Sequence, residues 1–96
     1  MSDGNKHDAG KLRMDLIPPE VETILAAVLT HGATLHGENT WREVEPWRWE
    51  AALRRHLNKY KRGEVLDSDS GLPHLAHVLC NAAFLAALGV HDEHGK

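Results

Sequence analysis

The chain has a single cysteine, Cys80, so no disulfide can close within it, and cysteine usage of this kind fits a reducing compartment. The cytoplasm is the expected location. Aromatic residues are scarce, with one Phe, one Tyr and three Trp, which leaves Leu, Ala and Val to build the core and favours helix on helix. No apolar run approaches the roughly 18 residues that a membrane-spanning helix needs, and the polar N-terminus does not resemble a signal peptide. A net charge of −3 argues against a general nucleic-acid coat, and neither a membrane nor a specific nucleic acid is expected as a partner. There is no glycine-rich phosphate loop, C-x-x-C pair, nucleophile elbow or internal repeat.

What the chain does have is titratable chemistry beside apolar sequence. His56, Glu64, Asp67, Asp69, Ser70, His74, His77 and Asn81 all fall between positions 56 and 81. Residues 72–88 are apolar nearly all round, the pattern of a helix buried on most sides. Ser70 is placed to cap it, Pro73 suits its first turn, and Gly89 reads as its stop. His74, His77 and Asn81, spaced by three and four, share one face of it. One buried histidine is usually a satisfied core group. Three converging on an acidic loop point to a site.

A second helix over residues 47–62 carries Trp49, Leu53, His56 and Tyr60 in its seam, so packing brings His56 toward His74 or His77. Its other face is basic, with Arg54, Arg55, Lys59, Lys61 and Arg62, and Glu50 and Arg54 form an i, i+4 pair. A first helix starts at Pro19, has Val21, Ile24, Leu25, Val28 and Leu29 as its core stripe, and meets its first stop signal at Gly32. Residues 30–43 form a short helical or extended segment, with His31 and His36 exposed. Trp41, Trp47 and Trp49 cap the core where the helices meet, or form a wall for base stacking. Residues 1–15 read as a flexible arm in which Lys11 and Arg13 suit phosphate, 16–90 as one helical domain, and 91–96 as a polar tail.

Carboxylates suit Mg²⁺ and Mn²⁺, whereas imidazoles suit Mn and later metals. The mixed set Glu64, Asp67, His74 and His77 therefore points to a divalent cation, Mn²⁺ in preference to Mg²⁺ alone. It matches no zinc-finger spacing.

These residues also carry a family resemblance over roughly residues 6–88. D-x-G-K-x-R-x-D-L-I-P-P-E spans 8–20, L-T-x-G-A spans 29–33, and N-x-W spans 39–41. R-H follows at 55–56, G-E-x-x-D at 63–67, and S-G-L-P-H-L-A-H at 70–77 with Asn81 beyond. The chain resembles the phage and bacterial family of dATP/dGTP diphosphohydrolase N-terminal domains, associated with MazG-like nucleotide pyrophosphohydrolases. Two features depart from the pattern. Leu35-His36 stands where the family carries Lys-Tyr, and Glu64-Val65-Leu66-Asp67 is the sole E-x-x-D, with no E-x-x-E before it.

The resemblance implies metal-dependent hydrolysis of purine deoxynucleoside triphosphates to monophosphate and pyrophosphate, in the host cytoplasm if the chain is phage-encoded. His56, Glu64 and His77 are the expected catalytic residues. Lys11, Arg13, Asn39, Trp41, Arg55, Lys59, Ser70 and Asn81 are expected to contact substrate. The alternative is a protein that sequesters a nucleotide or nucleotide-derived signal uncleaved. The expected fold is all-α, a small bundle of three main helices. Three short helices bury too little alone, so a homodimer or higher oligomer is expected to complete it.

Overall fold

The structure, a computed structural model, describes residues 10–95, with side chains described through position 89. Positions 1–9 of the expected arm and the side chains of the expected tail lie outside the described residues. Three α-helices follow in order, α1 (Pro19–His36), α2 (Pro46–Lys61) and α3 (His74–Gly95). One 3-10 turn, Met14–Leu16, precedes α1 and another, Thr40–Glu43, joins α1 to α2. Among the described residues there is no strand, and the isolated bridge Leu66–Pro73 is the one β pairing. Among the described residues no helix is long and apolar enough to cross a membrane.

Pro19 and Pro46 open α1 and α2 at first-turn positions, where a missing N–H costs nothing. Gly32 does not stop α1. A mid-helix glycine costs only about 1 kcal/mol against alanine, and the helix runs on to Gly37, whose φ of +95° turns the chain out. The Gly37 N–H caps the helix by donating to the Ala33 carbonyl at 2.8 Å. Gly89 is likewise passed, and the α3 backbone stays helical to Gly95.

α3 is the central element, packed along α2 on one side and more sparsely along α1 on the other. α1 stands off from α2, so the stripe expected on α1 is only partly covered. Val28 is buried with Ala76 and Cys80, while Ile24 and Leu29 stay exposed. Tyr60 is exposed too. The three tryptophans part company. Trp41 and Trp49 pack on Phe84, with ring centroids 4.4 and 4.8 Å away. Trp47 is 58% exposed and donates its indole N–H to Glu45. The radius of gyration is 16.5 Å, against about 12 Å for a closed domain of this length. The helices make an open wedge.

Candidate functional site

The acidic loop is tied down before it reaches α3. The Asp67 N–H donates to the Leu72 carbonyl (2.8 Å) and the Gly71 N–H returns to the Asp67 carbonyl (2.7 Å). The Asp67 carboxylate accepts the Ser70 N–H at 2.9 Å, an Asx-type turn. The His74 N–H donates to the Val65 carbonyl at 2.8 Å. Ser70 therefore sits inside the loop and does not cap α3. Its Oγ accepts the Leu72 N–H (3.1 Å) and lies 2.7 Å from His77 Nε2. The Pro73 carbonyl receives the Ala76 N–H at 3.0 Å, which starts the helix.

Knotted in this way, the loop sets its acids against the histidines. His74 is 0% exposed. Its Nδ1 lies 2.9 Å from His56 Nδ1 and its Nε2 lies 2.6 Å from Glu64 Oε2. His74 thus bridges Glu64 and His56 through its two ring nitrogens. The ring of His56 also stacks on that of His77, with centroids 4.4 Å apart and planes 9° apart. His77 Nε2 lies 3.7 Å from Asp67 Oδ2, beyond hydrogen-bond range.

The electrostatics keep the two stacked imidazoles neutral. Burial lowers the pKa of His56, and His77 lowers it further against the opposing pull of Asp67. Burial also lowers His77, again against Asp67, and His31 adds to the lowering. Burial pushes Asp67 up, but hydrogen bonds from Ser70 and the neighbouring histidines outweigh it and bring the carboxyl below its usual range. The cluster thus combines an ionised acid with neutral imidazoles, the states in which both coordinate metals.

His56, Asp67 and His74 can each present one ligand atom within 4.8 Å of the others. Two imidazole nitrogens on adjacent positions of an octahedral ion, at about 2.1 Å from it, stand about 3 Å apart, close to the spacing of the His56 and His74 Nδ1 atoms. Glu64 and His77 lie outside this trio. Glu64 holds the far nitrogen of His74, the usual place of a carboxylate behind a metal-binding histidine.

The cluster opens onto a groove of about 1160 Å³ between the C-terminal half of α1, the connector and α3. His56, His77, Asn81, Asn39 and Trp41 line it, and among the described residues no lysine or arginine does. Asn39 turns the connector in the left-handed region at φ +62°. Asn81 is 6% exposed and lines the groove. Trp41 is not an open stacking wall. Phe84 covers one face at 4.4 Å and the Arg42 guanidinium lies over the ring at 4.4 Å.

The expected phosphate ligands are scattered. Lys11 and Arg13 lie exposed on the arm, with Arg13 held by Asp15 in two bonds of 2.8 Å. Arg55 and Lys59 are exposed on α2. Lys59 follows His56 by three residues, near enough for its charge to lower the His56 pKa.

Two lining residues escaped the sequence reading. His31 is half-buried in the groove, contrary to the exposed position expected for it. Its spacing of three from Val28 places it on the buried stripe once α1 is known to continue past Gly32. Phe84, the ring at the centre of the aromatic cluster, follows His77 and Asn81 at helical spacing, a signal that could have placed it. Cys80 also lines the groove, but burial pushes its thiol up to about 11, so it stays protonated at neutral pH.

The sequence profile described as "dATP/dGTP diphosphohydrolase, N-terminal" matches residues 1–95. A dATP/dGTP diphosphohydrolase of Salmonella phage PMBT28 is 30% identical over 82 residues, covering 85% of this chain and 28% of the relative. The chain thus spans little more than a quarter of that protein's length. No solved structure matches.

Proposed function

The chain belongs to the dATP/dGTP diphosphohydrolase N-terminal family, and on that footing we propose that it cleaves purine deoxynucleoside triphosphates to monophosphate and pyrophosphate. The observation that carries this reading is the linked set Glu64–His74–His56–His77–Asp67 opening at one end of a largely uncharged groove. The groove suits a nucleoside. The cluster end suits phosphates.

His56, Asp67 and His74 would hold a divalent cation, with Glu64 orienting His74. Two nitrogens and one oxygen favour Mn²⁺ over Mg²⁺. The cation would supply charge to the phosphoanhydride oxygens as electrons move onto them. His77, neutral and held by Ser70, takes the proton from a water attacking the α-phosphorus. The bond from that phosphorus to the α–β bridging oxygen breaks, and pyrophosphate leaves with the electron pair. Lys59 and Arg55, with Lys11 and Arg13 from the arm, neutralise the phosphates from outside the groove. Asn81 offers the purine edge a donor and an acceptor from one amide, the pairing that suits adenine N7 and N6.

The test is reaction of dATP and dGTP with Mn²⁺ or Mg²⁺ in ¹⁸O-water. This reading requires the label in the monophosphate together with free pyrophosphate. Release of inorganic phosphate, or of deoxynucleoside with intact triphosphate, contradicts it. A second reading, capture of a nucleotide without cleavage, draws on a groove lining that holds no lysine or arginine among the described residues. It is distinguished by metal-independent binding with no product.

A further inference from the structure

His31 enters the groove from α1, and the hydrolysis proposed above gives it no task. Val28 fixes its position. Val28 is buried with Ala76 and Cys80 of α3, and His31 follows it by three residues, on the same face of α1. There His31 is half-buried, and it lines the groove together with His77, Cys80 and Asn81 from α3. It lies near enough to His77 for its charge to lower the His77 pKa.

A nucleoside triphosphate in this groove gives up water around its phosphate oxygens and needs donors in exchange. Among the described residues no lysine or arginine lines the groove, and Lys11, Arg13, Arg55 and Lys59 stand exposed outside it. Imidazoles are the donors at the cluster end. Three of them are engaged with neighbours: His56 and His74 face each other at 2.9 Å, and His77 Nε2 lies 2.7 Å from Ser70 Oγ. His31 is the fourth. Glu38 lines the groove at the connector, and its carboxylate disfavours phosphate there. The triphosphate is thereby turned toward the histidines.

We propose that His31 is a phosphate-binding residue, its ring N–H donating to a non-bridging oxygen of the nucleotide from the wall opposite His77. This role rests on the reading of the groove as a nucleotide site. A neutral imidazole suffices, because either tautomer carries one N–H. With His31 on α1 and His77 on α3, the phosphates are held from both walls.

The test is calorimetric titration of dATP and of deoxyadenosine, with EDTA present, into the wild type, His31→Leu and His31→Gln. Leucine fills the space without a donor, whereas glutamine keeps an N–H. The dATP affinity is expected to fall about tenfold or more in His31→Leu, the loss of a hydrogen bond to a charged group. Deoxyadenosine affinity is expected to stay the same, and His31→Gln to recover most of the dATP loss. If His31→Leu loses helix content, His31→Ala makes the same comparison. Wild-type dATP affinity in the donor-free variant, or an equal loss for both ligands, overturns the proposal. So does a wild type that binds dATP no more tightly than deoxyadenosine. Binding is read without turnover, so the two failures separate. Intact dATP after incubation with Mn²⁺, at a His31-dependent affinity, contradicts the hydrolysis alone. Cleavage by His31→Leu at the wild-type rate and dATP affinity contradicts the role of His31 alone.

Discussion

Glu64 Oε2 lies 2.6 Å from Nε2 of the fully buried His74, and the opposite nitrogen of that ring faces His56 at 2.9 Å. One carboxylate thereby sets which nitrogen of His74 carries the proton and leaves the other with a lone pair directed into the cluster. Replacing Glu64 by Gln keeps an acceptor near His74 but removes the charge. A loss of this kind behind a ligating histidine costs roughly 10–100-fold in metal affinity. Mn²⁺ titration of Glu64→Gln is expected to show that loss at nearly unchanged helix content. Wild-type affinity in the variant contradicts the role given to Glu64.

The stacked pair His56 and His77 makes stability fall on the acid side of neutrality. Both imidazoles have pKa values below their ordinary value in the folded chain, mainly through burial, so the unfolded chain binds more protons. Their contribution is complete above about 6.5, the unfolded value, and is lost as pH falls below it toward the folded values. Asp67, also lowered, acts in the same direction only below the ordinary carboxylate range. Melting temperature measured from pH 8 to pH 5 is expected to fall mostly below 6.5, and His77→Gln is expected to flatten that fall. A melting temperature that rises on acidification contradicts the buried, neutral pair.

Asn81 separates a ligand contact from a structural one. It is buried and lines the groove beside His77. The expected result of Asn81→Ala is a tenfold or greater loss of nucleotide affinity, about 1.4 kcal/mol, with little change in melting temperature. A stability loss with unchanged affinity assigns Asn81 to the core.

Phe84 is expected to behave in the opposite way. It carries Trp41 and Trp49 on its faces, and truncation of a buried Phe costs roughly 3–5 kcal/mol. Half-buried, Phe84→Ala should cost about 2–3 kcal/mol in a denaturant titration. A cost below about 1 kcal/mol means the aromatic cluster does not hold the groove wall.

Much of this was legible in the sequence. The three helices and the meeting of His56 with His74 and His77 follow from apolar spacing, and the start of α1 from Pro19. The ends of α1 and α3 did not. Gly32 and Gly89 look like stops, but α1 turns out only at Gly37, with its positive φ, and α3 runs on past Gly89. That error hid His31, because a histidine past a helix end has no face to belong to. The role of Ser70 was also hidden, since capping and closing a tight loop draw on the same hydroxyl and the same neighbours. Trp47 and Trp49 sit two positions apart, so a helix cannot aim both inward, and the sequence reading grouped them by proximity alone. The openness of the wedge has no signature in a single chain, where apolar stripes read as buried whether they meet the same chain or a partner.

The central claim is that the histidine–carboxylate cluster and the groove form one hydrolytic site. The measurement that tests it most directly is turnover of dGTP with Mn²⁺ by the wild type and by His77→Ala, with melting temperatures taken on the same preparations. The account predicts dGMP and pyrophosphate from the wild type. It also predicts loss of turnover by tenfold or more in the variant at a melting temperature that leaves it folded. Unchanged turnover per folded molecule in the variant, or unchanged dGTP with the wild type, contradicts it.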